Sequence, residues 1–465
     1  MLWFPLQRNG SKTLTQQIYE QIRSRILAGD YLPGDKLPSS RELAQHLGVS
    51  RTMAVEAYEQ LQMEGFLESL RGSGTYVAQG ATLPTPAAPP SYEWDQLRRQ
   101  THADHIHFRP GKPSLAHFPR AKWGQIAKHV YQEATENLLG YHSPEGLIEL
   151  REVLARYLAR VRGVQCHPEQ ILITTGATQA MTLITQCLLA PGSTIAMEDP
   201  VTDEIRTIFE LAGIRFHPVP VDDKGMQTEH LPSQQSVPLI FVIPSHQFPM
   251  GGTLSIQRRV KLIEYARLHD SYIVEDDYDS EFCFEGTPVP SLQGMAPERV
   301  IYVGTFSKIL SPAIRIGYLI LPPPLVSPFR KHKWYLDRHS PLMDQMILSR
   351  FIQEGHLDRH IRNMKKVYHK KRNHLIKALT RHFPQVNILG RKAGMHLVAE
   401  FPGLAFTEEL LADIHQAGVF VESVEHYALQ KGRHQHQIVL GFGGLSEEEI
   451  DKGIAVIKKA VDHKR

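Results

Sequence analysis

Short apolar runs at residues 171–174, 194–197, 239–242, 272–274 and 300–303 alternate with helical patterns such as 256–269. A run without polar alternation suits a strand covered on both faces. Such strands alternating with helices predict an α/β fold with a mostly parallel sheet. Ligands of these sheets lie beyond the strands' carboxyl ends, so the residues after each run are the ones to read.

After the first run, Thr175-Gly176-Ala177-Thr178-Gln179 opens a helix. Small residues there let backbone amides approach a phosphate at the helix's positive end, although Gly-Ala turns are common. The fourth run leads into Glu275-Asp276-Asp277-Tyr278-Asp279-Ser280-Glu281-Phe282. This crowd of carboxylates reads as a solvated loop or a metal site, and with no histidine adjacent the metal reading is set aside. The fifth run leads into Thr305-Phe306-Ser307-Lys308-Ile309-Leu310-Ser311-Pro312-Ala313-Ile314-Arg315-Ile316-Gly317-Tyr318. A lysine on a loop is ordinarily a solvated charge. Between two buried runs it can be desolvated, which lowers its pKa and frees the amine to attack an aldehyde. Thr305 and Arg315, three residues before and seven after Lys308, are close enough to clamp a phosphate together.

The first eighty residues follow another plan. Thr13 and Gln16 have capping-box spacing before Ile18, Ile22 and Ile26. Ser39 and Glu42 repeat that spacing before Leu43, Ala44 and Leu47. Gly48-Val49-Ser50 makes a turn into a third helix whose Val55, Tyr58 and Leu61 should face inward. Residues 66–69 and 75–77 read as strands around Arg71-Gly72-Ser73-Gly74. Three helices and a hairpin form the winged helix-turn-helix plan. Arg51 and Thr52 fall where a helix start reaches base edges, and Ser50 is the expected cap. Ser39, Ser40 and Arg41 fall at another helix start suited to phosphate, and Arg71 with Gly72 forms a wing tip that can enter a minor groove. A protein-interaction module has the same outline. Net charge does not decide, because eight basic residues (8, 12, 23, 25, 36, 41, 51, 71) balance eight acidic ones (20, 30, 35, 42, 56, 59, 64, 68). Only the placement of the basic groups favours DNA.

The run from Leu32-Pro33-Gly34-Asp35 to Leu43-Ala44, with Val49-Ser50-Arg51-Thr52 and Arg71-Gly72-Ser73-Gly74-Thr75-Tyr76-Val77, resembles a GntR-type winged helix over residues 11–79. That resemblance implies binding to an operator in double-stranded DNA. Prolines 84, 86, 89 and 90 then mark a semi-rigid linker, taken as 80–104, before a body over 105–465. Cys166, Cys187 and Cys283 are odd in number and widely spaced, which fits a reducing cytoplasm better than a disulfide framework. No run approaches a membrane span, and the apolar Leu2-Trp3-Phe4 start is too short for a signal peptide.

Ser307-Lys308 followed by Pro312, Arg315, Gly317 and Tyr318 resembles the cofactor-lysine segment of the fold-type I aminotransferases, which hold pyridoxal 5'-phosphate (PLP). The similarity extends through Phe108-Arg109-Pro110-Gly111-x-Pro113, Phe118-Pro119-x-x-x-Trp123, Gly140-Tyr141-x-x-x-x-Gly146-x-x-x-Leu150-Arg151, Arg162-Gly163-Val164 and Pro244-Ser245-His246-Gln247-Phe248-Pro249-x-Gly251. In that order these resemble the MocR-type regulators, in which a winged helix is joined to an aminotransferase-like body. The implied fold is an N-terminal winged helix-turn-helix (α+β) plus an α/β fold-type I PLP-dependent body with a smaller C-terminal α+β subdomain. The resemblance implies that Lys308 holds PLP as a Schiff base and Asp276 keeps the pyridine nitrogen protonated. It places Tyr278 near the ring's phenolic oxygen. Thr305, Ser307, Arg315 and Gly176-Ala177-Thr178 are its anchoring residues. It further implies a homodimer in which Tyr141 reaches the other subunit's phosphate, and an amine, amino acid or B6 vitamer as effector. Arg206 stands at a family effector position, with His426 and Arg433 as neighbouring candidates; Arg433, within Lys431-Gly432-Arg433-His434, also reads as surface charge.

Two departures bear on activity. Val201-Thr202 stands where the family has Gly-Tyr, whose ring can stack on PLP. The late strand 437–442 lacks the arginine with which aminotransferases hold a substrate carboxylate. Both argue against the rival reading, a working aminotransferase with an appended module. A regulator that has lost PLP is a third reading, opposed by the intact set of Asp276, Tyr278, Lys308 and Arg315.

Overall fold

Three hydroxyl side chains start the three helices of the N-terminal unit. In a computed structural model of the chain, which describes residues 4–8, 11–81, 105–233, 236–286 and 289–464, Thr13, Ser39 and Ser50 accept the amides of Gln16, Glu42 and Met53. Each contact satisfies a helix amide that lacks a carbonyl partner. The helices are α1 (Leu14–Ala28), α2 (Ser40–Leu47) and α3 (Arg51–Met63). At α2 the box is reciprocal, the Ser39 amide donating to the Glu42 carboxylate at 2.8 Å. Ile18, Ile22 and Ile26 pack against Leu43, Ala54, Ala57, Tyr58 and Leu61. Val55, expected to face inward, is only half-buried, because the inner face of α3 runs through Ala54, Ala57, Tyr58 and Leu61.

The wing pairs β2 (Leu67–Leu70) with β3 (Gly74–Val77), and a strand the sequence did not announce, β1 (Lys36–Leu37), adds to the other side of β3. Gly72, at φ 81°, makes the turn between β2 and β3. Residues 82–104, nearly all of the expected linker, lie outside the described residues.

The body, from residue 105 on, is a second compact unit. Its central sheet has eight strands: β4 (Ile171–Thr174), β5 (Thr194–Asp199), β6 (Arg215–Asp222), β7 (Gly225–Met226), β8 (Leu239–Val242), β9 (Tyr272–Asp277), β10 (Val300–Thr305) and β11 (Gly317–Ile320). Their order is β4-β11-β10-β9-β8-β5-β6-β7. The pairs joining β10, β9, β8, β5 and β6 are parallel, while β11 runs antiparallel to both β10 and β4. A parallel return needs a crossover of about a dozen residues or more. Residues 306–316 are instead occupied by the lysine segment and a short turn at Pro312–Ile314, so the chain comes straight back. Every residue of β4, β8, β10 and β11 is buried, as continuous apolar runs require.

A smaller antiparallel sheet follows. Its strands are β12 (Asn387–Leu389), β13 (His396–Glu400), β14 (Glu422–Ser423) and β15 (Gln437–Gly441), in the order β12-β13-β15-β14. Helices His356–His382 and Glu447–Lys464 contribute to the apolar core beside it. Residues Ile106–His107 pair with Val419–Phe420, so the start of the body lies on this C-terminal subdomain. Among the described residues no helix is long and apolar enough to cross a membrane.

Candidate functional site

Lys308 leaves the carboxyl end of β10 against a bare stretch of backbone. Gly111 has φ 70°, which favours glycine, and a Cβ added there would come within 2.7 Å of the lysine Nζ and push the end of that side chain aside. Burial pushes the Lys308 ammonium below its usual pKa, Glu204, Asp279 and Asp276 oppose the shift, and Arg109 adds to it. A depressed pKa raises the fraction of free amine, the form that captures an aldehyde carbon.

The neighbouring strand β9 brings Asp276 opposite Val303. Burial, reinforced by Asp277 and Asp279, pushes the Asp276 pKa up to about 7, with Lys308 working the other way. The other acids of this stretch are not solvated but individually partnered. Glu275 accepts the amides of Leu292 and Gln293 at 3.0 and 2.9 Å. Asp277 pairs with Arg162 Nε at 2.7 Å and accepts the Tyr302 hydroxyl. Asp279 Oδ2 lies 3.2 Å from His246 Nδ1. Asp276 is buried as well.

Tyr278 donates its hydroxyl to the His246 carbonyl at 3.2 Å and lies 3.2 Å from His246 Nδ1. His246 is fully buried among Asp279, His396 and Tyr278, and its Nε2 has no partner. Ligand-type atoms of His246, Asp279 and His396 lie within 4.8 Å of one another. The sequence set a metal aside because no histidine adjoined the acids; the fold brings two from elsewhere. Their hydrogen bonds occupy much of this donor set, since His396 Nε2 bonds the Pro249 carbonyl at 3.0 Å. The geometry reads as support for Tyr278, a role for His246 and Asp279 that sequence reasoning missed.

On the other side of β10, Gly176 at φ 108° precedes the helix Ala177–Leu188, whose start has no side-chain cap. Its first-turn amides, those of Ala177 and Thr178 among them, are open to an anion. Arg315 lies over them: a Cβ on Gly176 would be 3.1 Å from its guanidinium. Arg315 has φ 52°, a left-handed conformation that costs a residue with a side chain roughly 1 kcal/mol. The Thr305 hydroxyl donates to Ser307 Oγ at 3.1 Å, and the Ser307 amide donates back at 3.2 Å. A buried lysine, a buried acid without a full positive counterpart, and an arginine over an uncapped helix start fit PLP. The acid suits its pyridinium and the helix start its phosphate.

The raised Asp276 pKa has a measurable consequence in the cofactor-free protein. Its folded value, about 7, stands above the unfolded value near 3.8. The stabilisation from holding that proton is complete below about pH 4 and lost as pH rises through about 7. Between about pH 5 and pH 8 the wild type is expected to lose on the order of 2 kcal/mol more stability than Asp276→Asn. Denaturant unfolding at the two pH values measures the difference; equal losses would show that this carboxyl is not the proton's holder.

The effector candidates divide. Arg206 Nε lies 3.4 Å from Glu210 on the helix Asp203–Leu211, and His426 Nε2 lies 3.4 Å from Asp203 on the same helix. Arg433 is exposed and lines a cleft with His217, His230 and His434. Val201 is buried in the main core, with its amide bonded to the Tyr427 carbonyl at 3.2 Å, and Thr202 is half-buried. Tyr141 is 79 % exposed, with the Arg338 guanidinium 5.0 Å from its ring centre.

In the N-terminal unit Arg41, Arg51, Thr52, Arg71 and Gly72 are exposed, and Ser40 is half-buried. The hydroxyls of Ser39 and Ser50 are engaged by helix amides, so their first role is to start α2 and α3.

The family model described as bacterial regulatory proteins, gntR family, matches residues 14–77, and that described as aminotransferase class I and II matches residues 106–457. The chain is 34 % identical to the "Probable rhizopine catabolism regulatory protein MocR" of Rhizobium meliloti over 98 % of this chain and 95 % of the relative. It is 32 % identical to the "HTH-type pyridoxine biosynthesis transcriptional regulator PdxR" of Corynebacterium glutamicum, over 97 % and 96 %. Among solved structures, the Pyrococcus horikoshii kynurenine aminotransferase superposes with a TM-score of 0.73 at 26 % identity, covering 80 % of this chain and 95 % of that one. The enzyme leaves a fifth of the chain unmatched, whereas the two regulators are similar along nearly all of it. The chain thus belongs to the MocR-type transcriptional regulators, with a GntR-family DNA-binding domain joined to a PLP-dependent aminotransferase body.

Proposed function

We propose that this regulator carries PLP on Lys308 and changes its hold on an operator when a small amino compound occupies the same pocket. The observation that carries the proposal is the buried Lys308 amine beside Asp276, at a sheet end that also presents Gly176 and Arg315. Bound PLP supplies an electrophilic carbon that a primary amine can capture. Asp276 would hold a proton at the pyridine nitrogen, and Tyr278, supported by His246, would stand near the ring oxygen. Arg315, Thr305, Ser307 and the amides at Gly176, Ala177 and Thr178 bind the phosphate. Arg206, on the helix Asp203–Leu211, and His426, paired with Asp203 of that helix, would serve the effector. Arg433 belongs to a separate cleft and is the weakest of the three.

A DNA-binding domain over 11–79, a linker over 80–104 and a body over 105–465 form the working arrangement, in the cytoplasm. Arg51 and Thr52 meet bases, Ser39, Ser40, Ser50 and Arg41 meet phosphate, and Arg71 with Gly72 meets the groove beside the wing. A homodimer is favoured by the exposed Tyr141, Trp334 and Tyr335, with Arg338 set 4.9 Å from the Trp334 ring centre. Exposed aromatics with arginine are the composition of protein interfaces, and Tyr141 would then reach the partner's phosphate. Sensing is favoured over turnover because β15 offers no basic side chain to a substrate carboxylate.

The test uses the PLP-loaded chain on the DNA immediately upstream of its own gene. Primary amines, amino acids and pyridoxal compounds are titrated while binding is followed by fluorescence anisotropy. At least one class is expected to change the affinity, and only in the PLP-loaded protein. Binding indifferent to PLP and to every compound would sink the proposal.

A further inference from the structure

With no cation on β15, a carboxylate entering the pocket must be met from elsewhere. Arg109 is placed for this. The carbonyl of Phe108 accepts the Gly441 amide at 2.9 Å, which ties the segment to the end of β15. A Cβ on Gly441 would sit 2.3 Å from the Arg109 carbonyl oxygen, so the backbone of Arg109 occupies space a side chain on β15 would need. Two residues later Gly111 meets Lys308, whose Nζ would lie 2.7 Å from a Cβ at that position. Two glycines thus hold Arg109 between the end of β15 and the reactive amine.

The Arg109 guanidinium reaches across to Glu204, Nη2 to Oε1 3.4 Å, over 95 residues of sequence. Glu204 belongs to the first turn of the helix Asp203–Leu211. Both charges are felt at Lys308, from opposite directions. The two side chains are 66 % and 73 % exposed. An ion pair that open to water contributes little, so a second carboxylate can replace Glu204 without a large penalty. Glu204, once released, stays at a helix start, where unpaired amides favour its charge. Asp203 beside it is already engaged by His426 at 3.4 Å.

We propose that Arg109 is the carboxylate-recognition residue of the effector pocket, that Glu204 occupies it in the effector-free protein, and that the effector is a primary amine bearing a carboxylate. This rests on the reading that Lys308 carries PLP. The amine end is directed at the cofactor and the acid end at Arg109, so the ligand links the segment at 109–111 to the cofactor and releases that segment from the helix at 203–211. A plain alkylamine satisfies only the first contact and leaves the Arg109–Glu204 pair closed.

The test titrates matched compounds, L-alanine against ethylamine and 4-aminobutanoate against propylamine, into the PLP-loaded full chain. Binding is read from visible absorbance and, in parallel, from calorimetry. The wild type is expected to prefer the acid in at least one pair. Arg109→Gln should cut that preference roughly tenfold or more while leaving the amine's affinity nearly unchanged. Glu204→Gln, which removes the competing carboxylate, should raise the acid's affinity. A cofactor band with no preference for either acid, or a preference untouched in Arg109→Gln, overturns the inference alone. No cofactor band in the wild type overturns the PLP reading and this inference with it.

Discussion

Lys308→Ala is expected to yield a protein that folds and binds DNA but lacks the visible band before reduction and retains no covalent pyridoxyl group after borohydride treatment and dialysis. The side chain leaves the end of β10 within reach of one wall, the backbone at Gly111, and burial lowers its pKa. Its amine is the nucleophile of the pocket, and alanine leaves nothing able to form that bond. The rest of the cradle survives, because Arg315 and Gly176 are held by the return into β11 rather than by the lysine. PLP should therefore still bind weakly and reversibly through its phosphate. The control of DNA binding by amines should vanish with the covalent link. A variant that still carries a pyridoxyl group after reduction and dialysis would show that another residue holds the cofactor.

The second large effect is expected from Arg51→Ala, which should lower affinity for the operator by roughly 10- to 100-fold while PLP retention stays at the wild-type level. Arg51 is the first residue of α3 and is exposed, and the inner face of that helix is built from Ala54, Ala57, Tyr58 and Leu61. Ser50 caps the helix through the Met53 amide, so the helix start does not depend on the arginine. A loss of affinity would then report a contact with DNA and not an unfolded domain. Arg71→Ala, at the wing tip, should weaken binding less and more uniformly across sequences. Anisotropy at about 0.15 M salt is the measurement, since ionic strength alone moves such affinities. Unchanged binding by Arg51→Ala would remove that residue from the contact surface.

Much of the body was legible because strands buried on both faces leave continuous apolar runs. Residues 171–174 and 239–242 are strands over the whole runs read from sequence. The ends of β5, β9 and β10 were not, because those strands continue into polar residues. Glu275 and Asp277 can lie in β9 only because amides at 292–293 and Arg162 meet them, partners far away in the chain. The same distance hid the surroundings of Tyr278. His246 precedes Asp279 by 33 residues, and His396 comes from a different sheet. In the winged unit the capping residues announced all three helices, whereas β1 has two residues and no pattern to read. The alanines at 54 and 57 gave a weak apolar signal, which is why Val55 looked more inward than it is. Arg109 has no role legible in the sequence, since its pairing with Glu204 exists only once residues 95 apart are brought together.

The most direct measurement is mass spectrometry of the PLP-loaded protein after borohydride reduction and proteolysis. One pyridoxyl adduct, on the peptide containing Lys308 and at that residue, is the expected result. An unmodified Lys308, or an adduct scattered over other lysines, would contradict the assignment on which the cofactor, the effector pocket and the control of DNA binding all rest.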